Sequence, residues 1–272
     1  TNSSTITITA TGSSISEADN TARVGASGSS STLNLTAGTT IGASGTAALN
    51  TDVATLNASA AGDIFVSEAT VIDLNSVSTS ANGNITITTT NGAITATSVT
   101  AGGAGDIALT ANGTGQGITL VSVTASGDDV TLGAVGNITG TTGGGADVTA
   151  LNLRVATAAA FGPVNAIETA VSNLAVLVTS GDVRVSNTGA LTITTLGGTV
   201  GISGGDDAVV TASSPVTIAS NTSMATQFYQ ATESAGPGDD VTVQTGVSVT
   251  ASTGSVTLLA GDDVLIQGTA SI

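Results

Sequence analysis

Residues 181–196 read Gly-Asp-Val-Arg-Val-Ser-Asn-Thr-Gly-Ala-Leu-Thr-Ile-Thr-Thr-Leu. Apolar side chains stand at every second position in the first half, at Val183 and Val185. The same alternation resumes after an Asn-Thr-Gly break, at Leu191 and Ile193. Alternation of this kind is typical of a strand with one apolar and one polar face, and Asn-Thr-Gly is a turn signal. The segment therefore predicts strand, turn, strand, and related segments recur along the chain.

A Gly-Asp or Gly-Asn step recurs before a β-branched residue at nearly constant spacing. The steps of the first half begin at Gly62, Gly83, Gly105 and Gly127. Each interval between them has room for three short strands, as at 107–110, 118–120 and 121–124. Three strands fit one turn of a parallel β-helix, where each strand pairs with its equivalent about 4.8 Å away. We therefore predict an all-β, right-handed parallel β-helix (β-solenoid) with about 20–22 residues and three short strands per rung.

A longer repeat is superimposed on the rungs. Segments 33–75 and 151–195 correspond to each other at a nearly constant offset, which predicts an internal duplication. Within it, 49–56 and 167–174 carry apolar residues at i, i+4 and i+7. This spacing favours a helical turn or a loop that lies on the surface of the solenoid. An irregular segment near 222–238, within the long interval between the Gly-Asp steps at Gly205 and Gly238, predicts a protruding loop. We expect residues 1–272 to form a single β-solenoid built from stacked rungs.

The composition limits the function classes. Aromatic residues make up 1% and charged residues 8% of the chain, and Lys, His, Cys and Trp are absent. A thin core of Val, Ile, Leu and Ala suits a repeat protein, in which each unit buries its apolar face on its neighbours. The net charge of −16 disfavours nucleic acid and anionic membrane surfaces as partners. No apolar run approaches the roughly 18 residues needed to span a bilayer.

Paired acidic residues follow several glycines and make a candidate calcium ladder. These residues are Asp128, Asp129, Asp206, Asp207, Asp239, Asp240, Asp262 and Asp263. Calcium takes about six to eight oxygen ligands, which carboxylates on neighbouring rungs could supply in part. The alternative is structural, because Asp and Asn side chains in turns bond the backbone just ahead of them. Both interpretations are open at this point.

Other candidate sites are sparse. Phe228 and Tyr229 lie in the predicted loop, where they could contact a surface glycan. Polysaccharide lyases need Lys, Arg or His near the substrate, whereas this chain offers three scattered arginines. A glycosidase needs two carboxylates, so that class stays open in principle. Rows of Thr-x-Thr, as in 5–9, also allow an ice-binding surface. We predict no catalytic residue and no cofactor apart from calcium.

Segments 181–196, 62–74 and 254–264 resemble the repeats of very large bacterial surface proteins, including filamentous-haemagglutinin-like exoproteins and related long adhesins. The resemblance implies a β-helical rod, secreted or held on the bacterial cell surface, that serves adhesion, biofilm or envelope structure. The chain lacks an Arg-Gly-Asp motif and resembles a shaft more than a tip. We therefore expect a non-catalytic structural rod of an extracellular fibre. The alternative is a glycan- or calcium-binding adhesive module; a polysaccharide-active enzyme or an ice-binding solenoid ranks third.

The two ends of the chain bear on its partners. The sequence opens on a predicted strand and stops soon after another, without a charged edge strand or an amphipathic helix to cover the stack. Open rungs expose unpaired backbone and favour the addition of another rung. We therefore expect the partners to be copies of the chain, or further repeats of one longer chain, arranged end to end.

Overall fold

Alternating apolar and hydroxyl side chains form the strands. A computed structural model describes residues 4–18, 21–25, 30–233 and 236–272. In the strand Ile85–Thr89, the side chains of Ile85 and Ile87 are fully buried, while Thr86 and Thr88 between them are partly exposed. The same inward and outward pattern recurs in most strands. The structure confirms the predicted all-β, right-handed parallel β-helix.

The chain divides into two compact units, Thr1–Gly136 and Asn137–Ile272. Each unit contains its own stack of coils, and one coil contributes a strand to each of three parallel sheets. That residues 1–272 form a single solenoid stays a prediction.

The N-terminal unit contains thirteen strands and one short 3₁₀ helix (Gly45–Ala47) within its described residues. The strands are β1 (Thr5–Ala10), β2 (Val24–Gly25), β3 (Thr32–Ala37), β4 (Leu49–Asp52), β5 (Thr55–Ala60), β6 (Ile64–Glu68), β7 (Ile72–Thr79), β8 (Ile85–Thr89), β9 (Ile94–Ala96), β10 (Val99–Ala101), β11 (Ile107–Ala111), β12 (Ile118–Leu120) and β13 (Val123–Ala134). The first sheet contains β2, β4, β6, β8, β11 and the end of β13. The second contains the start of β7 with β9 and β12. The third contains β1, β3, β5, the end of β7, β10 and the start of β13.

The coil length in this unit agrees with the spacing of the Gly-Asp steps. In the first sheet Ile64 pairs with Ile85, Ile85 with Ile107, and Ile107 with Val130. Each of these four residues closely follows one of the Gly-Asp or Gly-Asn steps. Of the strands predicted after Gly105, those at 107–110 and 118–120 match β11 and β12 nearly to the residue. The third, predicted at 121–124, begins at Val123 and continues to Ala134. Isoleucine and valine thus line the interior in continuous rows, and each buried side chain contributes about 1.5–3 kcal/mol of apolar burial.

The C-terminal unit contains sixteen strands within its described residues. These are β14 (Ile138–Gly140), β15 (Val148–Ala158), β16 (Ile167–Val178), β17 (Val183–Asn187), β18 (Leu191–Ile193), β19 (Thr195–Leu196), β20 (Thr199–Val200), β21 (Ile202–Ser203), β22 (Asp207–Ala212), β23 (Val216–Ile218), β24 (Thr222–Met224), β25 (Thr226–Ala231), β26 (Val241–Val243), β27 (Val249–Ala251), β28 (Val256–Leu259) and β29 (Val264–Ile266). β19 and β20 form an antiparallel hairpin beside the parallel stack. Coil lengths vary more here: Tyr229 pairs with Val210 in the coil before it and with Leu258, which is farther away along the chain, in the coil after it.

The duplicated segments 49–56 and 167–174 form strands, so the predicted helical turn or loop is wrong. β4 and β5 cover most of the first segment, and β16 covers the second. The i, i+4, i+7 spacing arises because the chain passes a corner of the coil between two sheets. Leu49 and Leu56 point inward from different sides of the coil, and Val53 is buried at the corner between them.

The predicted loop near 222–238 also needs correction. Residues 222–224 and 226–231 lie in β24 and β25, which pair in register with strands of the preceding and following coils. Regular structure ends only at Ala231 and resumes at Val241, and residues 234–235 lie outside the described part. The misleading signal was the polar and aromatic composition of β25, which obscures its alternation.

The two copies of the duplication share an unusual first strand. In each, one residue pairs with the next coil, a glycine turns the chain away, and the strand resumes several residues later. In the N-terminal unit Ile41 pairs with Ile64 and Gly42 follows at φ 66°. In the C-terminal unit Phe161 pairs with Val183 and Gly162 follows at φ 71°. Each glycine N–H donates to the preceding coil at 2.8 Å, to the carbonyls of Ile15 and Ile138 respectively.

Gly42 is a position at which we expect an added methyl group to be strongly destabilising. In Gly42→Ala the Cβ would collide with the Phe65 carbonyl and lie 2.7 Å from the Leu49 nitrogen. Gly115 has a similar φ of 73° but open space around it. Urea denaturation should show a loss of about 1 kcal/mol for Gly115→Ala, from backbone strain alone, and about 3 kcal/mol or more for Gly42→Ala. Equal losses would contradict the close approach of the two coils.

Candidate functional site

The Gly-Asp and Gly-Asn steps of the N-terminal unit hold neighbouring coils together. The Asp63 carboxylate accepts a hydrogen bond from the Asn84 backbone N–H at 2.8 Å. The Asn84 side-chain oxygen accepts one from the Asp106 N–H at 2.8 Å, and the Asp106 carboxylate accepts one from the Asp129 N–H at 3.2 Å. Each side chain thus satisfies a backbone donor at the start of the next coil's first strand, where the ladder of the sheet has not yet begun.

The eight predicted calcium ligands do not form one row. Asp128 and Asp129 lie in the middle of β13 in the N-terminal unit, and the other six lie in the C-terminal unit. There Asp206 and Asp207 lead into β22, which lies with β17 and β25 in the first sheet of that unit, whereas its second sheet contains β18, β23, β26 and β29. The pairs 239–240 and 262–263 lead into β26 and β29, which belong to the second sheet. The interval between Gly205 and Gly238 is therefore long because it contains one full coil and, in addition, the first-sheet side of the next coil.

The acidic residues of the second sheet also bond the backbone. One Asp262 carboxylate oxygen accepts hydrogen bonds from the Gly238 N–H at 2.7 Å and the Asp239 N–H at 3.2 Å. The Asp240 carboxylate accepts one from the Asp263 N–H at 3.1 Å. Within the described residues, no three acidic side chains are grouped so that they could hold a metal ion. These contacts favour the structural interpretation of the acidic turns, and calcium binding stays a prediction.

Phe228 and Tyr229, predicted as glycan contacts in a loop, lie instead in β25. Tyr229 is fully buried, and its hydroxyl donates a hydrogen bond of 2.6 Å to the side-chain oxygen of Gln227. Gln227 is buried too, and its amide donates to the Thr250 carbonyl at 2.7 Å. Burial raises the pKa of the Tyr229 hydroxyl. The prediction for Tyr229 is wrong, because its ring fills the core; Phe228 points outward and is partly exposed.

Glu68 forms a buried polar corner that the sequence patterns did not reveal. Its side chain is fully buried at the end of β6. It accepts hydrogen bonds from the Thr51 hydroxyl at 2.7 Å, from the Val53 N–H at 3.2 Å and from the Thr70 N–H at 3.1 Å. These donors belong to the corner where the preceding coil turns and to the turn after β6. The carboxylate therefore ties two successive corners together.

Asn187 has the same role in the second copy of the duplication. Its side-chain oxygen accepts hydrogen bonds from the Thr169 hydroxyl at 2.8 Å and from the Val171 N–H at 3.0 Å. In the alignment of the two copies, Thr169 and Val171 correspond to Thr51 and Val53, and Asn187 corresponds to Glu68. The two copies thus use a carboxylate and an amide in one role. The correspondence between Glu68 and Asn187 was the available sequence signal.

Burial raises the pKa of Glu68 above its ordinary value of 4.5, and the adjacent Asp52 carboxylate adds to the rise. Hydrogen bonds from Thr51, Thr70 and Val53 oppose the shift without cancelling it. Burial raises the pKa of Asp147 as well, although the N–H groups of Glu168 and Thr141 donate to it. The folded protein therefore holds these protons to a higher pH than the unfolded chain does.

The outward surface of the N-terminal unit carries rows of polar side chains. Six hydroxyl-bearing residues follow one another in register along the third sheet: Thr9, Thr36, Ser59, Ser78, Thr100 and Thr124. A parallel row of amides is linked directly. The Asn57 amide donates to the Asn34 oxygen and the Asn75 amide to the Asn57 oxygen, each at 2.8 Å. Serine interrupts the threonine row that an ice-binding surface would need.

Removal of a carboxylate that bonds the next coil should lower the stability of the protein, whereas removal of a carboxylate that makes no hydrogen bond should not. Asp63→Ala leaves the Asn84 N–H without its acceptor, so we expect the free energy of unfolding to fall by about 1–2 kcal/mol. Asp128→Ala removes the same charge from a partly exposed side chain that makes no hydrogen bond within the described residues, and should change the free energy of unfolding by less than about 0.5 kcal/mol. Urea denaturation of both variants without added calcium measures the difference. Equal losses would contradict a structural role for the Asp63 side chain.

Glu68 should make stability fall as the pH rises. Because its pKa is raised in the folded state, its contribution is fully present below the unfolded value near 4.5 and is lost as the pH passes through the raised value. Urea denaturation between pH 4 and 8 should therefore show the free-energy difference between Glu68→Gln and the parent growing in favour of the variant as the pH rises. The matched change Asn187→Asp should introduce a dependence of the same sign. A difference that is constant with pH in both variants would contradict the assignment.

Comparisons with known proteins supply no relative: no family model, no curated protein and no solved structure matches this chain. Across the residues that the structure describes, no helix has the length and apolar character required to cross a bilayer. The function must therefore be argued from the geometry of the chain itself.

Proposed function

We propose that this chain is a non-catalytic structural segment of a bacterial extracellular fibre or adhesin stalk. The observation that supports the proposal most is the parallel pairing of successive coils within each unit, which is in register over most of the strands. In the N-terminal unit the pairs run without a register shift from Ile64 through Ile85 and Ile107 to Val130. The proposed function is that of a spacer, which holds the parts of the fibre on either side of it at a fixed separation and resists bending. Every coil contributes to this stiffness.

The side chains reinforce the same contacts. Carboxylates and amides in the turns accept hydrogen bonds from the backbone of the next coil. Asparagine side chains on the outward face also bond one another from coil to coil. In a repeat stack of this kind, stability is the sum of terms for single repeats and for the interfaces between neighbours. Most of the polar chemistry of the chain therefore serves the interfaces between coils, as a spacer requires.

The proposed location and partners follow from the surface and from the resemblance of the repeats to large bacterial surface proteins. The outward face offers hydroxyls and amides with few cations, which gives a hydrated and mildly acidic surface. Val264 and Ile266 of β29 are 42% and 54% exposed, whereas their partners Val241 and Val243 are fully buried. A further coil of the same kind, from the same or another chain, is the proposed cover for such faces.

Deletion of one whole coil should leave a spacer folded, whereas deletion of half a coil should not. Removal of 85–106 joins Asn84 to Ile107, which then takes the place of Ile85 in the first sheet. Val123 replaces Val99 in the same way. We expect this variant to keep its strand-type circular dichroism and a cooperative melting transition. The control deletion 85–95 joins Asn84 to Ala96, so that the end of β9 and the start of β10 take the place of the first-sheet strand β8. It should abolish both.

The same pair of deletions tests the function in the cells that produce the protein. Immunogold labelling should place the parent and the whole-coil variant outside the cell envelope, with attachment or fibre formation retained by both. The half-coil variant should lose surface labelling, because it does not fold. Label confined to the cell interior would contradict the location. Loss of attachment or fibre formation in a folded, exported whole-coil variant would contradict the role of a spacer.

A further inference from the structure

The hairpin β19–β20 is the one antiparallel element among the described strands, and it breaks the periodic pattern of the C-terminal unit. Two glycines, Gly197 and Gly198, form its tip with φ values of 52° and 88°. The tip lies against Arg154 of β15: a Cβ added at Gly197 would come within 3.1 Å of the Arg154 Nη1 atom. The glycine therefore lets the backbone of the hairpin lie directly beside the guanidinium group.

Arg154 differs from the other two arginines in its partners. Arg184 forms an ion pair with Asp182 at 2.7 Å, and Arg23 lies 3.8 Å from Asp52. Arg154 forms no ion pair within the described residues, and its Nε–H donates to the Thr199 hydroxyl at 3.0 Å. That bond fixes the plane of the guanidinium group. Its four terminal N–H donors make no hydrogen bond within the described part of the chain.

An open cleft of about 380 Å³ lies beside this guanidinium group. Arg154 and the hydroxyls of Thr199 and Ser203 supply its polar lining, and Leu177 and Val200 supply an apolar wall. The two apolar side chains are 38% and 46% exposed. A half-buried cation, two hydroxyls and an exposed apolar wall thus converge on one cavity of this unit.

This chemistry fits a ligand with one carboxylate, several hydroxyls and an apolar C–H face. A guanidinium group binds a carboxylate through two parallel hydrogen bonds, and its fixed plane favours that geometry. The net charge of −16 disfavours a polyanion, because its other charges would be repelled. We propose that this cleft binds a single carboxylate-bearing sugar residue, such as a hexuronic or sialic acid, through Arg154. The site goes beyond the spacer function and does not depend on it.

The three arginines allow a direct test by NMR, since the chain has no lysine or histidine. The Nε–H signals of ¹⁵N-labelled full chain are assigned with single variants and titrated with methyl β-glucuronide. We expect a saturable shift of the Arg154 signal in the millimolar range, with the signals of Arg23 and Arg184 unmoved. Neutral methyl β-glucoside and acetate are the ligand controls. The glucoside should not bind, and acetate should bind at least roughly fivefold more weakly, because it lacks contacts with the wall and hydroxyls.

Two variants and a matched control complete the test, with binding followed through backbone amide signals of the hairpin. Arg154→Gln should weaken glucuronide binding roughly tenfold or more. Leu177→Asp, at an exposed position, should weaken glucuronide binding to a similar extent, because the new carboxylate would pair with Arg154 in place of the ligand. Arg184→Gln changes the net charge as Arg154→Gln does, and should leave the affinity within about twofold, since it lies outside the cleft. Equal shifts of all three arginine signals, equal binding of acetate, or full affinity in Leu177→Asp would each overturn the proposal.

Discussion

The parallel pairing of each coil with the next is the constraint on which the rest of the structure depends. A side chain that faces inward on one coil must meet an inward side chain at the same position on the next, or both rows lose their apolar contacts. The isoleucine and valine rows of the first sheet satisfy this condition with a nearly constant coil length. Extra residues are accommodated only where they leave the paired strands in phase, in turns and excursions such as those after Gly42 and Gly162. The chain can therefore vary widely in coil length while its core stays nearly uniform.

The corners of the coils are where this arrangement leaves backbone N–H groups without a partner in a sheet. At each corner the backbone leaves one sheet before it enters the next, so that N–H groups such as that of Val53 have no partner within a ladder. Glu68 and Asn187 satisfy these donors with different chemistry at equivalent places. The carboxylate offers only acceptors while it is ionised, whereas the amide also donates, to the carbonyls of Thr188 and Gly189. The two corresponding segments thus share the geometry of the corner and differ in its charge, so that the side chain that accepts these hydrogen bonds is titratable in only one of them.

The sequence predicted the periodic part of the fold well and the aperiodic part poorly, for a physical reason. Alternation marks a strand wherever the chain stays on one side of the coil, and so the strands at 107–110 and 118–120 were predicted nearly to the residue. At a corner the inward phase resets, and Leu49, Val53 and Leu56 then imitate helical spacing. The Gly-Asp steps also look alike whichever sheet they enter, so the interval between Gly205 and Gly238 suggested a loop instead of a change of side. Tyr229 looked like a surface residue because its partner in the core, Gln227, is itself polar.

The candidate sites follow the same division. A feature that recurs on each coil, such as an acidic turn or a hydroxyl row, has a sufficient explanation in the contacts between coils. The carboxylates predicted to bind calcium belong to this class, and two of them, those of Asp240 and Asp262, already accept backbone hydrogen bonds. A feature that occurs on one coil has no such explanation. The Gly197-Gly198 hairpin interrupts the stack, places a guanidinium group beside apolar side chains and, among the described residues, leaves that cation without a carboxylate. In a protein whose repeats are specified by packing, the departure from the repeat is where a specific ligand is to be sought.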